Sequence, residues 1–230
     1  MIFVFAMIAL AYTCRMLDMY DIGNGYPGDV RAALYIVLLA LWGYSIDRRI
    51  IQKPVLHCLR LTDALMLLWL ILRTLKYEVI TNLTVARYLW YLYYLPMLFI
   101  PLLGVYIAMS LGKSEEYRLS GKTQLLTIIP ALLFLCVITN DLHQKVFTFK
   151  SGIPGNPGNG PYYHNVVYFF CLAWMVGCMI FTVVHIFKNS RVSNVGKRRV
   201  MPFVFCCVTI LYGVLYLIGI PQVRRSEERR

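Results

Sequence analysis

Asp141, His143 and His164 are the residues whose types could support acid–base or metal chemistry. The first two belong to the segment TNDLH at residues 139–143, and His164 follows a Gly/Pro-rich stretch. A carboxylate and two imidazoles can bind a metal ion or relay a proton. The alternative is a helix end whose polar side chains cap carbonyls and meet water. Because no HExxH-type spacing occurs, we predict no metal site. The candidate ligand-binding residues of this group are Asn140, Asp141, His143 and His164.

A run of aromatic residues forms a second candidate site. The segment RYLWYLYY at residues 87–94 holds five aromatic rings within seven residues, and Pro96 and Pro101 follow. At about 100° per residue, these rings cover most of a helix circumference. Facing lipid, they would form an interfacial belt; facing inward, they would line a pocket beside proline kinks. Both arrangements can hold together. The candidate ligand-binding residues here are Tyr88, Tyr91 and Tyr94.

A third group consists of charges inside an otherwise apolar segment. Arg60 and Asp63 are three residues apart, and Arg73 and Lys76 repeat that spacing. Asp63 can pair with Arg60 one helical turn back, and long basic side chains can reach an interface. We expect a helix interrupted in this way to lie inside a bundle and not against lipid. If its charges lined a polar path, the protein would be a small transporter.

The composition determines the class of protein to which these groups belong. Of 230 residues, 59% are hydrophobic and only 15% are charged, which excludes an ordinary soluble domain and a disordered chain. The net charge of +12 does not indicate nucleic-acid binding, because the basic residues lie mostly between long apolar runs. Seven cysteines without CxxC spacing are typical of packing. No nucleotide, hydrolase or other catalytic motif occurs, so we expect neither enzyme activity nor a cofactor.

We predict an all-α integral membrane protein whose residues 1–222 form a single bundle of about seven transmembrane helices, followed by a polar basic tail at 223–230. A span needs about 20 apolar residues. The predicted helices lie near residues 1–17, 30–46, 55–77, 86–111, 124–142, 161–187 and 200–220. The first is the weakest, because its apolar part is short. The Gly/Pro segments 21–28 and 151–161 are expected to be loops.

The distribution of basic residues predicts the orientation of the chain. The loops after helices 2, 4 and 6, with their flanks, hold twelve Lys and Arg residues, and the alternate loops hold seven. The first set is therefore expected in the cytoplasm, and the loop 151–161 outside. With seven spans, the arginine-rich tail would also lie outside, against this rule. Either helix 1 does not cross the membrane or the chain stops before a further span.

The stretch from Ala86 onward resembles the N-terminal seven-transmembrane region of bacterial sensor histidine kinases. The resemblance rests on three segments, at residues 86–112, 126–149 and 211–221. Its most specific part is a helix end of the pattern Thr-Asn-x-Leu-His followed by an aromatic residue. Here the pattern is formed by Thr139, Asn140, Leu142, His143 and Phe147.

This resemblance implies a sensory input module in the bacterial plasma membrane that catalyses nothing itself. It makes helix 2 the family's first helix and helix 1 an addition, with the family's last span and kinase missing after Pro221. The partners it allows are the lipid bilayer, a cytoplasmic signalling protein or kinase, a small molecule at the outer ends of helices 4–6, and a second copy of the chain. The alternatives are the small transporter and, as a third option, a membrane enzyme that uses Asp141 and His143.

Overall fold

The computed structural model is an all-α bundle with one small sheet, which confirms the predicted fold class. It describes residues 2–19, 26–49, 52–110, 113, 117, 119–149 and 162–189. The predicted helix at 200–220, the loop at 151–161 and the basic tail lie outside these residues. The elements in chain order are α1 Ile2–Met19, α2 Tyr26–Arg49, α3 Lys53–Thr74 with a π-helical turn Leu75–Val79, α4 Leu83–Leu92, α5 Tyr94–Ser110, α6 Gly121–Gln124 with a 3-10 turn Leu125–Thr127, α7 Ile128–Ile138, α8 Asn140–His143, β1 Phe147–Phe149, β2 Tyr162–His164 and α9 Val166–Asn189.

Five helical stretches in the described part of the chain are long and apolar enough to cross a membrane. They are Val30–Arg48, Lys53–Thr74, Leu83–Ser110, Gly121–Ile138 and Val166–Lys188. Their outward faces carry large apolar side chains, such as Leu132, Phe170 and Ile180. A soluble protein would bury such surface, whereas a bilayer solvates it. The protein is therefore a multi-pass membrane protein.

Helix α5 is the centre of the bundle. It packs against α3 on one side and α9 on the other, while α2 covers α3 and α1 covers α2. Helices α5 and α9 are joined by a hydrogen bond of 3.1 Å, which Nε1 of Trp174 donates to the carbonyl oxygen of Leu98. Lower in the same contact, Gly104 faces Thr182. At the end of α5, Gln52 Nε2 donates to the carbonyl oxygen of Ser110 at 2.9 Å, which ties α5 to the start of α3.

The span Leu83–Ser110 is interrupted at Tyr93, where α4 ends and α5 begins. Pro96 has no N–H group, so the carbonyl of Leu92 loses its helical partner. The chain adjusts by tightening: the Tyr93 N–H donates to the carbonyl oxygen of Trp90, three residues back. The other end of α4 is capped by Asn82, whose Oδ1 accepts from the backbone N–H groups of Thr84 and Val85.

The segment predicted as one helix from 124 to 142 ends in a turn at Thr139. Its hydroxyl group donates to the carbonyl oxygen of Leu135 at 2.7 Å, and the short helix α8 follows. Helix α8 ends at Gln144, which has a left-handed backbone with φ 48°. This reversal returns the chain toward the bundle as strand β1.

Strand β1 pairs with β2 in an antiparallel sheet, with Phe147 opposite His164 and Phe149 opposite Tyr162. The prediction that helix 6 begins near 161 placed His164 on that helix, whereas it lies on β2 and α9 begins at Val166. Backbone pairing explains the difference, because the Asn165 N–H donates to the carbonyl oxygen of Val146 at 2.9 Å. We call this end of the bundle, with α4, α8, the sheet and the start of α9, the sheet end.

Candidate functional site

A buried ion pair joins α4 to α8 at the sheet end. Arg87 approaches Oδ2 of Asp141 with both Nη2, at 2.7 Å, and Nε, at 3.1 Å. The two side chains are only 8% and 17% exposed. Tyr91, one turn after Arg87 on the same face of α4, donates its hydroxyl proton to Oδ1 of Asp141 at 2.7 Å. Both oxygens of the carboxylate are therefore occupied by groups of α4.

Asn140 connects this ion pair to the sheet. Its Nδ2 donates to the Tyr91 hydroxyl oxygen at 3.2 Å and to the carbonyl oxygen of Phe147 at 3.0 Å. Its Oδ1 accepts from the backbone N–H groups of Val146 and Phe147, both at 3.0 Å. The side chain is completely buried, and all four of its hydrogen-bonding positions are used within the protein.

The ring of Phe147 occupies the centre of an aromatic cluster. It is completely buried, and its centroid lies 4.4 Å from that of Trp90 and 5.8 Å from that of Tyr94. Tyr91 stacks nearly parallel to it at 6.4 Å. The other rings in contact with it are those of Tyr162, His164 and Tyr168. Among the alternatives for the aromatic run, the structure thus gives an inward-facing cluster for Trp90, Tyr91 and Tyr94, with a side chain of the protein itself at its centre.

The two candidate histidines have different surroundings. His143 folds back on α7: its Nε2 lies 3.1 Å from the carbonyl oxygen of Cys136, and its Nδ1 accepts from the Lys145 N–H at 2.9 Å. His164 stacks on Tyr168 with the ring centroids 3.9 Å apart. The His164 side chain is partly exposed, and its partial burial against these rings lowers its pKa below the ordinary value. In the described part of the chain, no group of three or more His, Cys, Asp and Glu residues could hold a metal ion.

Most of the residues that we predicted as a ligand site therefore contact one another. Asn140, Asp141 and Tyr91 form one network, and Tyr94 and His164 belong to the aromatic cluster around Phe147. Tyr88 lies at its edge, half-exposed and in an edge-to-face contact with Tyr91.

Two central residues of this site, Arg87 and Phe147, were not predicted as site residues. From the sequence, Arg87 is one of the seven basic residues of the alternate loops, and Phe147 is part of the family resemblance. The signal for Arg87 was present, because an arginine that begins a helix and an acid that ends a neighbouring helix must lie on the same side of the membrane.

The charges on α3 are separated in the structure. The predicted pairing of Arg60 with Asp63 is wrong: Nε of Arg60 binds Oδ1 of Asp47 on α2 at 2.7 Å instead. This pair joins α2 to the first half of α3, and its two side chains are about half exposed. Arg73 lies in the last turn of α3. Lys76 is buried in the π-helical turn, with its ammonium group 5.9 Å from the ring centroid of Tyr93.

Residues 30–226 match the family described as the N-terminal 7TM region of histidine kinase. The chain belongs to this family. The match begins within α2, so helix α1 lies outside it, as the resemblance implied. The description concerns a membrane region and not a catalytic domain. No curated protein and no solved structure matches the chain.

Within the family region, the helix end Thr-Asn-x-Leu-His is explained by contacts inside the protein. Asn140 holds Phe147, and the Thr139 hydroxyl group lies 3.4 Å from Nε2 of His143. Leu142 is the exception, because it is 87% exposed. The pattern thus describes a turn that fixes an aromatic side chain inside the bundle and leaves one apolar side chain outside.

Proposed function

We propose that this chain is a sensory input module of the cell membrane, which receives a stimulus at the sheet end and passes it to a cytoplasmic kinase. The single observation that carries the proposal is the network of Arg87, Tyr91, Asp141 and Asn140. In a chain of the histidine kinase 7TM family, it links the aromatic cluster to the helices that cross the membrane. A small molecule that enters the cluster, or a change in the bilayer around it, would displace these side chains together.

The path for such a displacement begins in α4 and continues through α5. Helix α5 runs from Tyr94 in the aromatic cluster to Ser110, about 25 Å away at 1.5 Å per residue. There the carbonyl group of Ser110 accepts a hydrogen bond from Gln52, so the far end of α5 is attached to α3. A movement at one end of the bundle thus has a continuous route to the other end.

Helix α9 supplies a second route. It begins directly after the sheet, with Asn165 donating through Nδ2 to the carbonyl oxygen of Gln144 at 2.7 Å, and it extends to Asn189. The basic segment from Lys188 to Arg199 begins in the last turn of this helix. We propose that this segment and the exposed basic residues near α6 contact the cytoplasmic partner, because their charge favours the cytoplasmic side.

The partner can be tested by photo-crosslinking in the cells that make the protein. A benzophenone amino acid is placed at Lys122, which is exposed on α6, or at Leu142, which is exposed at the sheet end. We expect Lys122 to capture a protein with a histidine kinase domain and Leu142 not to capture it. Capture at both positions or at neither would contradict the proposal, since the predicted orientation puts only Lys122 in the cytoplasm.

The signalling role is tested by the phosphohistidine level of that kinase. Tyr91→Phe removes one hydroxyl group and with it the hydrogen bonds to Asp141 and Asn140. Tyr12→Phe removes a hydroxyl group from an exposed ring on α1, outside the site, and is the matched control. We expect the first variant, and not the second, to change the phosphohistidine level at equal amounts of folded protein. Equal levels in both variants and the wild type would overturn the proposal.

A further inference from the structure

The carboxyl group of Asp63 lies in the middle of a membrane span. Asp63 is the eleventh of the twenty-two residues of α3, so it stands near the centre of that helix. Its Oδ1 is buried, and no described residue donates a hydrogen bond to it. Its Oδ2 lies against Gly43 of α2. An ionised carboxylate in this position would be unfavourable, because its Oδ1 is removed from water in the middle of a membrane span without a hydrogen-bond donor.

The nearest cation on the same helix does not neutralise Asp63. Arg60, one turn earlier, binds Asp47 on α2 through Nε at 2.7 Å. The next cations along the same direction are Arg73 and Lys76, which lie about 15 and 20 Å further at 1.5 Å per residue. Lys76 is placed over the ring of Tyr93.

The elements packed against α3 place no described cation in an ion pair with Asp63. On α2, Arg31 is twelve residues before Gly43, about 18 Å along the helix at 1.5 Å per residue. Arg48, on the same helix, lies over the ring of Tyr44, with 4.7 Å between the guanidinium carbon and the ring centroid. Helix α5 contains no acidic or basic residue. On α4, Arg87 is engaged by Asp141 at the sheet end. The carboxyl group of Asp63 therefore lies against Gly43, and no charged side chain of the described residues is paired with it.

Gly43 is the residue that allows this contact. A methyl group added to it would overlap Oδ2 of Asp63 and lie 3.1 Å from its Cγ. Every other residue type carries that carbon atom, so the carboxyl group could not pack on α2 in this position. The close approach and the buried oxygen are two independent observations on one side chain.

We propose that Asp63 is a proton-binding site, whose carboxyl group is protonated at neutral pH while α2 and α3 are in contact. On binding, a carboxylate oxygen of Asp63 takes one proton from water and forms an O–H bond. On release, that bond breaks and the proton returns to water, so no other reactant is needed. The neutral acid fits the apolar contact, and the ionised form requires water. Proton release is therefore coupled to separation of α2 from α3. The site needs only this contact, so it does not depend on the function proposed above.

The protonated acid can be observed directly by infrared spectroscopy of the protein in lipid nanodiscs. Only a protonated carboxyl group gives the carbonyl stretch of a carboxylic acid. We expect the band at pH 7 in the wild type and in Asp47→Asn, and its loss in Asp63→Asn. No band in the wild type, or a band unchanged in Asp63→Asn, would overturn the proposal. A band that appears only when Na⁺ is removed would also overturn it, since the ligand would then be a metal cation.

A second measurement uses the unmodified chain and is independent of the folding of Asp63→Asn. Hydrophobic carbodiimides add to protonated carboxyl groups in membranes, and mass spectrometry locates the product. We expect modification of Asp63 and not of Asp47, which is ion-paired and exposed. Equal modification of both acids, or modification of Asp47 alone, would contradict the proposal.

Gly43→Ala tests the role of the helix contact. The added methyl group should displace the carboxyl group toward water, so the infrared band should disappear at a lower pH than in the wild type. Gly177→Ala is the matched control, because a methyl group there meets no atom within 4 Å. If the two variants titrate alike, the packing against Gly43 does not hold the proton.

Discussion

Tyr91 donates a hydrogen bond of 2.7 Å to Asp141, and it does so from the position one helical turn after Arg87. A single carboxylate thereby fixes α4 relative to α8, with each of its oxygens assigned to a different side chain. The same hydroxyl group accepts a hydrogen bond from Asn140, which also binds the backbone of β1. Tyr91 therefore connects the ion pair to the sheet. Four polar side chains on two helices thus depend on one another, and Asn140 attaches the backbone of β1 to them.

The effects of substituting Arg87 and Asp141 on the free energy of unfolding should depend strongly on each other. Removing one partner of a buried pair leaves an uncompensated charge and costs about 3–5 kcal/mol. We expect Arg87→Met and Asp141→Asn each to lower the free energy of unfolding, and the double variant to lose less than the sum by about 1–3 kcal/mol. Unfolding by SDS in mixed micelles measures this. The exposed pair Arg60–Asp47 is the control, and the same double-variant cycle there should show no coupling energy. Strong coupling at both pairs would contradict the idea that burial strengthens the Arg87–Asp141 interaction.

Asn140→Ala should destabilise the sheet end, because the N–H groups of Val146 and Phe147 and the Phe147 carbonyl group lose their partner. Each buried group left unsatisfied costs about 1–3 kcal/mol. Leu142→Ala, two residues away and 87% exposed, should change the free energy of unfolding by less than about 0.5 kcal/mol. Comparable losses in the two variants would show that Asn140 is not the centre of the turn.

Phe147→Ala should open a cavity at the middle of the aromatic cluster. Truncation of a buried phenylalanine costs about 3–5 kcal/mol. Phe169→Ala on α9 is the matched control, since that ring is 58% exposed and faces the lipid side. Thermal unfolding followed by tryptophan fluorescence suits the comparison, because Trp90 lies 4.4 Å from the Phe147 ring. A midpoint for Phe147→Ala equal to that of the control would contradict the central position of this ring.

His164 should make the stability of the sheet end depend on pH. Burial lowers its pKa in the folded protein, so the unfolded chain, with a histidine pKa of about 6.5, binds the proton first as the pH falls. The contribution is complete above pH about 6.5 and decreases below it. We expect the midpoint temperature of unfolding to decrease as the pH is lowered from about 7 to about 5. The decrease should be smaller in His164→Phe, which keeps a ring on Tyr168. An unchanged pH dependence in His164→Phe would assign the effect to another group.

Five of the seven predicted membrane helices correspond to stretches of the described residues that are long and apolar enough to cross a membrane, and there is a physical reason for this agreement. In a bilayer each backbone group must be bonded within its own segment, so length and hydropathy alone identify the spans. Length and hydropathy do not reveal short breaks within a helix. The break at Tyr93 depends on one missing N–H group in Pro96, and strands of three residues are too short to show a period. His164 was for that reason assigned to a helix.

The partners of polar side chains were harder to predict than the elements that carry them. Arg60 has one acid three residues away and another on α2, and the spacing along α3 favours the wrong one. Asn140 and Asp141 were chosen because polar groups at a helix end can bind a ligand. Their hydrogen bonds join α8 to β1 and to α4, and the Arg87–Asp141 pair is 54 residues apart in the sequence. Only the three-dimensional arrangement distinguishes these cases.

The hydrogen bond from Trp174 to Leu98 limits how the two central helices can move. Carbonyl groups along a helix repeat every 1.5 Å, so sliding α9 along α5 by one residue would pull the indole away from its acceptor. Tilting about this point would keep the bond intact. The hydrogen bond from Trp174 to Leu98 therefore opposes sliding of α9 along α5 more than it opposes a change in the angle between the two helices.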